Sequence, residues 1–219
     1  MSGMRWLDRH VSLFSGSLRT LLQRESDRRR CVGSPYAWLF QPYMGEEQVA
    51  LACYASAGEH PVISVAAVVL SQRHVQTSRA WVATIANTRS ANAATLRRHQ
   101  HVYGTTVALS PNAENLGALA EFIGNRPLIG WQIDRSLDQL NMQFKEALGF
   151  GLPNAQVDVA KLHHRQLRRL HPQVDIGNDL GEALERWQLP AMNSHGVLSE
   201  AAASALLYIR LQRETAQVA

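Results

Sequence analysis

The sequence predicts an α/β domain: a mixed sheet flanked by helices. Three β-rich runs lie close together ahead of residue 83. Beyond them, a short apolar run is followed by segments in which apolar residues recur at helical spacing. Strands first, then alternating strand and helix, is the order of a sheet whose faces are covered by helices. With 219 residues, 46% of them apolar, the chain can bury one core, and one core is expected.

Residues 1–45 read as a basic amphipathic helical extension and linker. Trp6, Leu7, Val11, Phe14, Leu18, Leu21 and Leu22 recur at helix-like spacing, and the run ends in Arg28-Arg29-Arg30. Turn formers then punctuate Gly33 to Gly45, so the main domain is placed at 46–215. Gln48–Tyr54, Val62–Leu70 and His74–Val82 read as strands of an antiparallel meander. Asn112–Phe122 is helical, Pro127–Trp131 a further strand, and Asp134–Leu148 a helix with Leu137, Leu140, Phe144 and Leu148 on one stripe. Val159–Leu170, Leu180–Trp187 and an alanine-rich stretch from Val197 to Gln212 complete the helices.

The formal charge of +4 and a pI near 9.4 come largely from arginine clusters: Arg28 to Arg30, Arg97-Arg98, and Arg165 with Arg168-Arg169. Such clusters attract polyanions or stand as solvated faces. Only Cys31 and Cys53 are present, too few for a disulfide framework, and a cytoplasmic protein is expected. The N-terminus lacks the pattern of a secretory signal, and no apolar run reaches the roughly 18 residues of a membrane span.

Three blocks, in order, carry a resemblance to a known family. Val49 to Gly58 leads into Val62-Ile63-Ser64-Val65-Ala66-Ala67-Val68; Leu128-Ile129-Gly130-Trp131-Gln132 leads into Ile133 to Asn141; His195-Gly196-Val197-Leu198-Ser199-Glu200 opens an alanine-rich helix. Between the last two, Val157 to Leu162 and Leu180 to Pro190 have the expected shape. In order and spacing these blocks resemble the DEDDh 3′–5′ exonucleases, the family of the polymerase proofreading subunit. The resemblance runs from about Val49 to Leu211 and implies a ribonuclease H-like fold with a five-stranded mixed sheet.

Relatives of that kind hold two Mg²⁺ or Mn²⁺ ions on carboxylates and displace at phosphorus in line. On the resemblance, Ala52 stands at the first Asp position, Tyr54 at the Glu position and Ser136 at the second-block Asp, all three degenerate. His195 stands at the general base and Glu200 at the last Asp, a vestigial pair. No Asp or Glu lies anywhere from Val49 to Gly58, so a shifted register restores nothing. Asp134 and Asp138 flank Ser136 by two positions, about 200° around a helix, and are expected to face away from the cleft. Asp158 reads as a helix-initiating residue, and the pairs His99/His101 and His163/His164 lack the partners of a recognisable metal site.

The resemblance therefore implies a pseudo-exonuclease with no metal cofactor, acting through a protein partner or ligand held in a cleft lined by Cys53, Trp131 and Gln132. Single-stranded nucleic acid, with Trp131 or Tyr54 as a stacking surface, is the alternative. Residual metal-dependent 3′–5′ exonuclease activity through His195 and Glu200, aided by Asp134 or Asp138, is a third reading.

Overall fold

The computed structural model describes residues 18–57, 61–87, 91–171, 173, 177–192 and 196–217. Residues 1–17, the first part of the expected helical extension, lie outside these. Helix α1 (Leu18–Arg30) follows. Arg28 and Arg29 pair with Glu25, and Arg30 with Asp27, so this arginine run is paired within its own helix.

Strands β1 (Gln48–Ala55), β2 (Ile63–Leu70) and β3 (Val75–Ile85) form the antiparallel meander, with Ala52 opposite Ala66 and Ala66 opposite Val82. Helix α2 (Ala93–Tyr103) and strand β4 (Ala108–Leu109) come next, then α3 (Ala113–Ile123), β5 (Leu128–Gly130) and α4 (Ile133–Leu148). Strand β6 (Gln156–Asp158) runs directly into α5 (Val159–Leu170), and α6 (Leu180–Arg186) and α7 (Val197–Gln217) end the chain.

The sheet order is β4-β3-β2-β1-β5-β6, six strands where five were expected. β5 and β6 lie parallel to β1, and β4 lies parallel to β3 at the far edge. The extra strand is two residues long, too short to show a period of two. It exists because the Val107 and Leu109 carbonyls accept hydrogen bonds from the Thr84 and Ala86 amides, at 2.8 and 2.9 Å.

Alternation along β1 divides the core. Ala50 and Ala52 face one cluster, with Ala66, Val68, Ile129 and the helix residues Val197, Ala201, Ala205 and Leu207. Val49 and Leu51 face the other, with Leu116, Leu119, Leu137, Leu140 and Phe144. Alanine on both the strand and the helix surface lets α7 settle close against β1 and β2. Gly130 is required for the same kind of reason: a Cβ there would stand 2.6 Å from the Leu51 carbonyl oxygen of the neighbouring strand.

The linker is not a detached tether. Cys31, Leu39 and Phe40 are buried in the second cluster, and Tyr36 and Phe40 pack their rings on Phe150 at 5.5 and 5.7 Å. Asp27, buried, accepts a hydrogen bond from the Gly151 amide at 3.3 Å. Among the described residues, no helix is long and apolar enough to cross a membrane.

Candidate functional site

The parallel strands β1 and β5 end side by side, and the chain leaving each of them turns away. Clefts form at such carboxyl ends in α/β sheets because the two connections diverge. Here the cleft encloses about 770 Å³. Its floor is Cys53 and Tyr54 of β1 with Trp131 and Gln132 after β5, and one wall is the first two turns of α4 from Arg135 to Gln139. The opposite wall is the 178–180 segment, Met192 and Glu200.

Of the residues singled out in the sequence, the structure brings Cys53, Tyr54, Trp131, Gln132, Ser136 and Glu200 to this one cleft. Ala52 is not at its surface: it is 1% exposed, packed beneath the floor on the α7 side. His195 lies outside the described residues. Pairing with Ala66 on β2 and the close approach of α7 seal Ala52 in, whereas Tyr54, two residues further along the same face, clears the end of the helix and reaches the opening.

Tyr54 is the centre of the arrangement. Its phenol donates a hydrogen bond to Glu200 Oε2, tying the end of β1 to the first turn of α7 across 146 residues of chain. Its ring stacks on Tyr103 of α2, centroids 4.6 Å apart and planes 10° from parallel. Tyr103 in turn contacts His99, whose Nδ1 lies 3.4 Å from the Ser64 hydroxyl; Ser64 meets Thr84, and Thr84 meets Thr105. A thread of polar groups thus leads from the cleft into the core beside β2 and β3.

Burial dominates the electrostatics. It raises the Glu200 carboxyl above its ordinary range, an effect the Tyr54 hydrogen bond partly offsets. It raises the Tyr54 phenol, with the Glu200 hydrogen bond adding to the shift, and it pushes the Cys53 thiol up to about 12, so neither is ionised at neutral pH. Ser136 is 6% exposed and Trp131 8%, and neither the hydroxyl nor the indole N–H has a hydrogen-bond partner among the described residues. Both residues line the cleft.

Gln132 adopts φ 49° and ψ 44°, left-handed backbone that β-carbon crowding disfavours. It stands at the N-terminal end of α4 without a side-chain cap.

The two carboxylates expected to face away behave differently from one another. Asp134 does face away, ion-paired to Lys161 at 2.6 Å. Asp138 lines the cleft, contrary to expectation. The groove runs along α4 rather than meeting it at one point, and Asp138 lies only about 60° around the helix from cleft-lining Arg135. Asp179 also lines the cleft, and sequence reasoning missed it. It caps α6 by accepting from the Glu182 amide at 3.0 Å, and the Asn178-Asp179 pair ahead of an apolar helix was the available signal. Asp158 caps α5, accepting from Ala160 and Lys161 amides at 2.9 and 3.3 Å, as its position in the sequence suggested.

The histidine pairs do not converge on a metal. His99 is buried against Ser64 while His101, about 200° around α2, is exposed on the opposite face. His163 is 2% exposed, its Nδ1 accepting from the Trp187 indole at 2.9 Å. Burial holds it down at about 4, and nearby His164 and Arg186 add to the effect. Among the described residues, no three His, Cys, Asp or Glu side chains are grouped as a metal would require. Compared with known proteins, the chain matches no family model and no curated protein.

Proposed function

We propose that this chain is a ribonuclease H-like protein of the DEDDh exonuclease type whose catalytic centre has become a binding cleft, acting by holding a protein partner or ligand. The sheet supports the scaffold: β1 is central, β2 antiparallel on one side, β5 and β6 parallel on the other. The three motif blocks end at the same opening.

One observation carries the reading. The side chains at two positions that should both be metal-binding carboxylates, Tyr54 and Glu200, are hydrogen-bonded to each other. A hard divalent cation needs a cage of charged oxygens. Here the phenol is neutral, the Glu200 carboxyl is raised toward its protonated form, Ser136 offers a hydroxyl and Ala52 is sealed beneath the floor. This donor set does not fit a pair of Mg²⁺ or Mn²⁺ ions. What it offers instead is Trp131 and Ser136 in the lining, whose donors have no partner among the described residues, and a concavity within the roughly 300–1,000 Å³ range of ligand sites.

The test is a restoration. Tyr54→Glu and Ser136→Asp, at positions that line the cleft beside Glu200, should together confer Mn²⁺ binding by calorimetry, while the natural chain shows none and releases no nucleotides from a 3′-labelled strand. Metal-dependent release by the natural chain, lost in a His195→Ala variant, overturns the proposal.

Single-strand binding ranks second. The stacked Tyr54–Tyr103 pair supports it as a platform for bases, but Asp138 and Asp179 at the cleft oppose a polyphosphate backbone.

A further inference from the structure

The chain as a whole is cationic, at +4, yet its cleft has the opposite sign. Among the described residues, three carboxylates, Asp138, Asp179 and Glu200, line it against one guanidinium, Arg135. Asp138 has no ion-pair partner among the described residues, nor does Arg135. One Asp179 oxygen caps α6, and the other has no partner there. A locally negative cleft inside a protein of the other sign attracts cationic groups from solution.

The cleft is more than a group of acids. Ser136 and Trp131, both more than nine-tenths buried, line it with a hydroxyl and an indole N–H that have no partner among the described residues, and polar groups on such buried residues are ordinarily satisfied by something. They are donors, and peptide carbonyls are the most abundant acceptors a polypeptide presents. Trp131 lines the same cleft as these carboxylates, and an aromatic side chain beside carboxylates is the environment that holds a guanidinium or ammonium group.

We propose that the cleft receives a basic segment of a partner polypeptide. An arginine or lysine side chain is drawn to Asp138 and Asp179, and its backbone carbonyls are taken by Ser136 and Trp131. This rests on the reading that the cleft binds rather than hydrolyses, and it names the occupant. It also assigns Glu200 a smaller part, because that carboxyl is engaged by Tyr54 and displaced by burial toward its neutral form.

The experiment is fluorescence anisotropy with two dye-labelled peptides, acetyl-Ala-Leu-Arg-Leu-Ala-amide and its counterpart carrying citrulline, which has the shape of arginine without the charge. The arginine peptide should bind at least about tenfold more tightly, with affinity falling as salt rises. Asp138→Asn with Asp179→Asn should bring it down to the level of the citrulline peptide. Asn caps a helix as well as Asp does, so α6 is retained, and circular dichroism verifies it. If the double variant unfolds, Asp138→Asn alone, at an exposed helix position, should still weaken the arginine peptide several-fold. Equal binding of the two peptides, no binding of either, undiminished binding by the variants, or displacement of the arginine peptide by a deoxythymidine decamer would each overturn the proposal. Failure of the peptide leaves the pseudo-exonuclease reading intact, whereas metal-dependent nucleotide release removes both.

Discussion

Tyr54→Phe isolates the interaction on which the site depends. The substitution keeps the ring that stacks on Tyr103 and removes only the hydroxyl that donates to Glu200. A hydrogen bond to an ionised carboxylate contributes roughly 1.5–3 kcal/mol, and one between neutral groups about 0.5–1.5 kcal/mol. Tyr54 is 37% exposed, so water can partly replace it, and the lower end of each range applies. The expected loss is therefore about 1.5 kcal/mol where Glu200 is ionised and about 0.5 kcal/mol where it is protonated. The sign of the pH dependence follows from the direction of the Glu200 shift. Its folded pKa lies above its unfolded value of 4.5, so the native state retains a proton that the unfolded chain has lost. Stability thus declines as pH rises above 4.5 toward the folded pKa, and it is fully regained below 4.5. Removing the phenol withdraws the one interaction that favours the ionised form, so Glu200 moves further up and the decline steepens. Urea denaturation followed by tryptophan fluorescence, on wild type and variant at about pH 4 and pH 7, measures the difference directly. A destabilisation equal at both pH values, or larger in acid, would refute the coupling between Tyr54 and Glu200.

Gln188 occupies left-handed backbone (φ 55°) just after α6, where the Leu189 amide donates to the Leu184 carbonyl and the Gln188 amide to the Glu185 carbonyl. This is the helix-ending turn that glycine favours, so Gln188→Gly should raise stability by about 0.5–1 kcal/mol, read as a higher urea midpoint with unchanged slope. Gly130→Ala should do the reverse, costing about 2–4 kcal/mol, because its methyl would meet the Leu51 carbonyl rather than a movable side chain. His163, held at about 4 against an unfolded value of 6.5, contributes stability that is complete above pH 6.5 and is lost as pH falls through 4. His163→Gln keeps an acceptor for the Trp187 indole and should flatten the stability profile across that window, by up to about 3 kcal/mol.

Most of the framework was legible in residue order. The β-rich runs from Gln48 to Ile85 alternate or stay apolar as strands must, and Val159–Leu170 reads as a helix because its apolar residues recur at helical spacing. Helix α2 was missed: Leu96 and Val102 are nearly its only large apolar residues, so it shows little helical period and is marked chiefly by its ends. These are the Asn92 side chain accepting from the Ala94 amide and Gly104 in left-handed backbone. The two-residue strand β4 carries no period at all and is made by its neighbour's free edge.

The site divides along the same line. Sequence alone determined that Val49 to Gly58 holds no carboxylate, because composition and order are properties of the chain; that Tyr54, Ser136 and Glu200 stand at motif positions belongs to the proposed resemblance. Only tertiary structure decided that Ala52 is sealed under α7, that Tyr54 engages Glu200, and that Asp138 and Asp179 line the opening. Each of those facts depends on which surfaces meet. A helix settling onto alanines closes over one strand residue and stops short of the next, and no local pattern in the chain encodes where it stops.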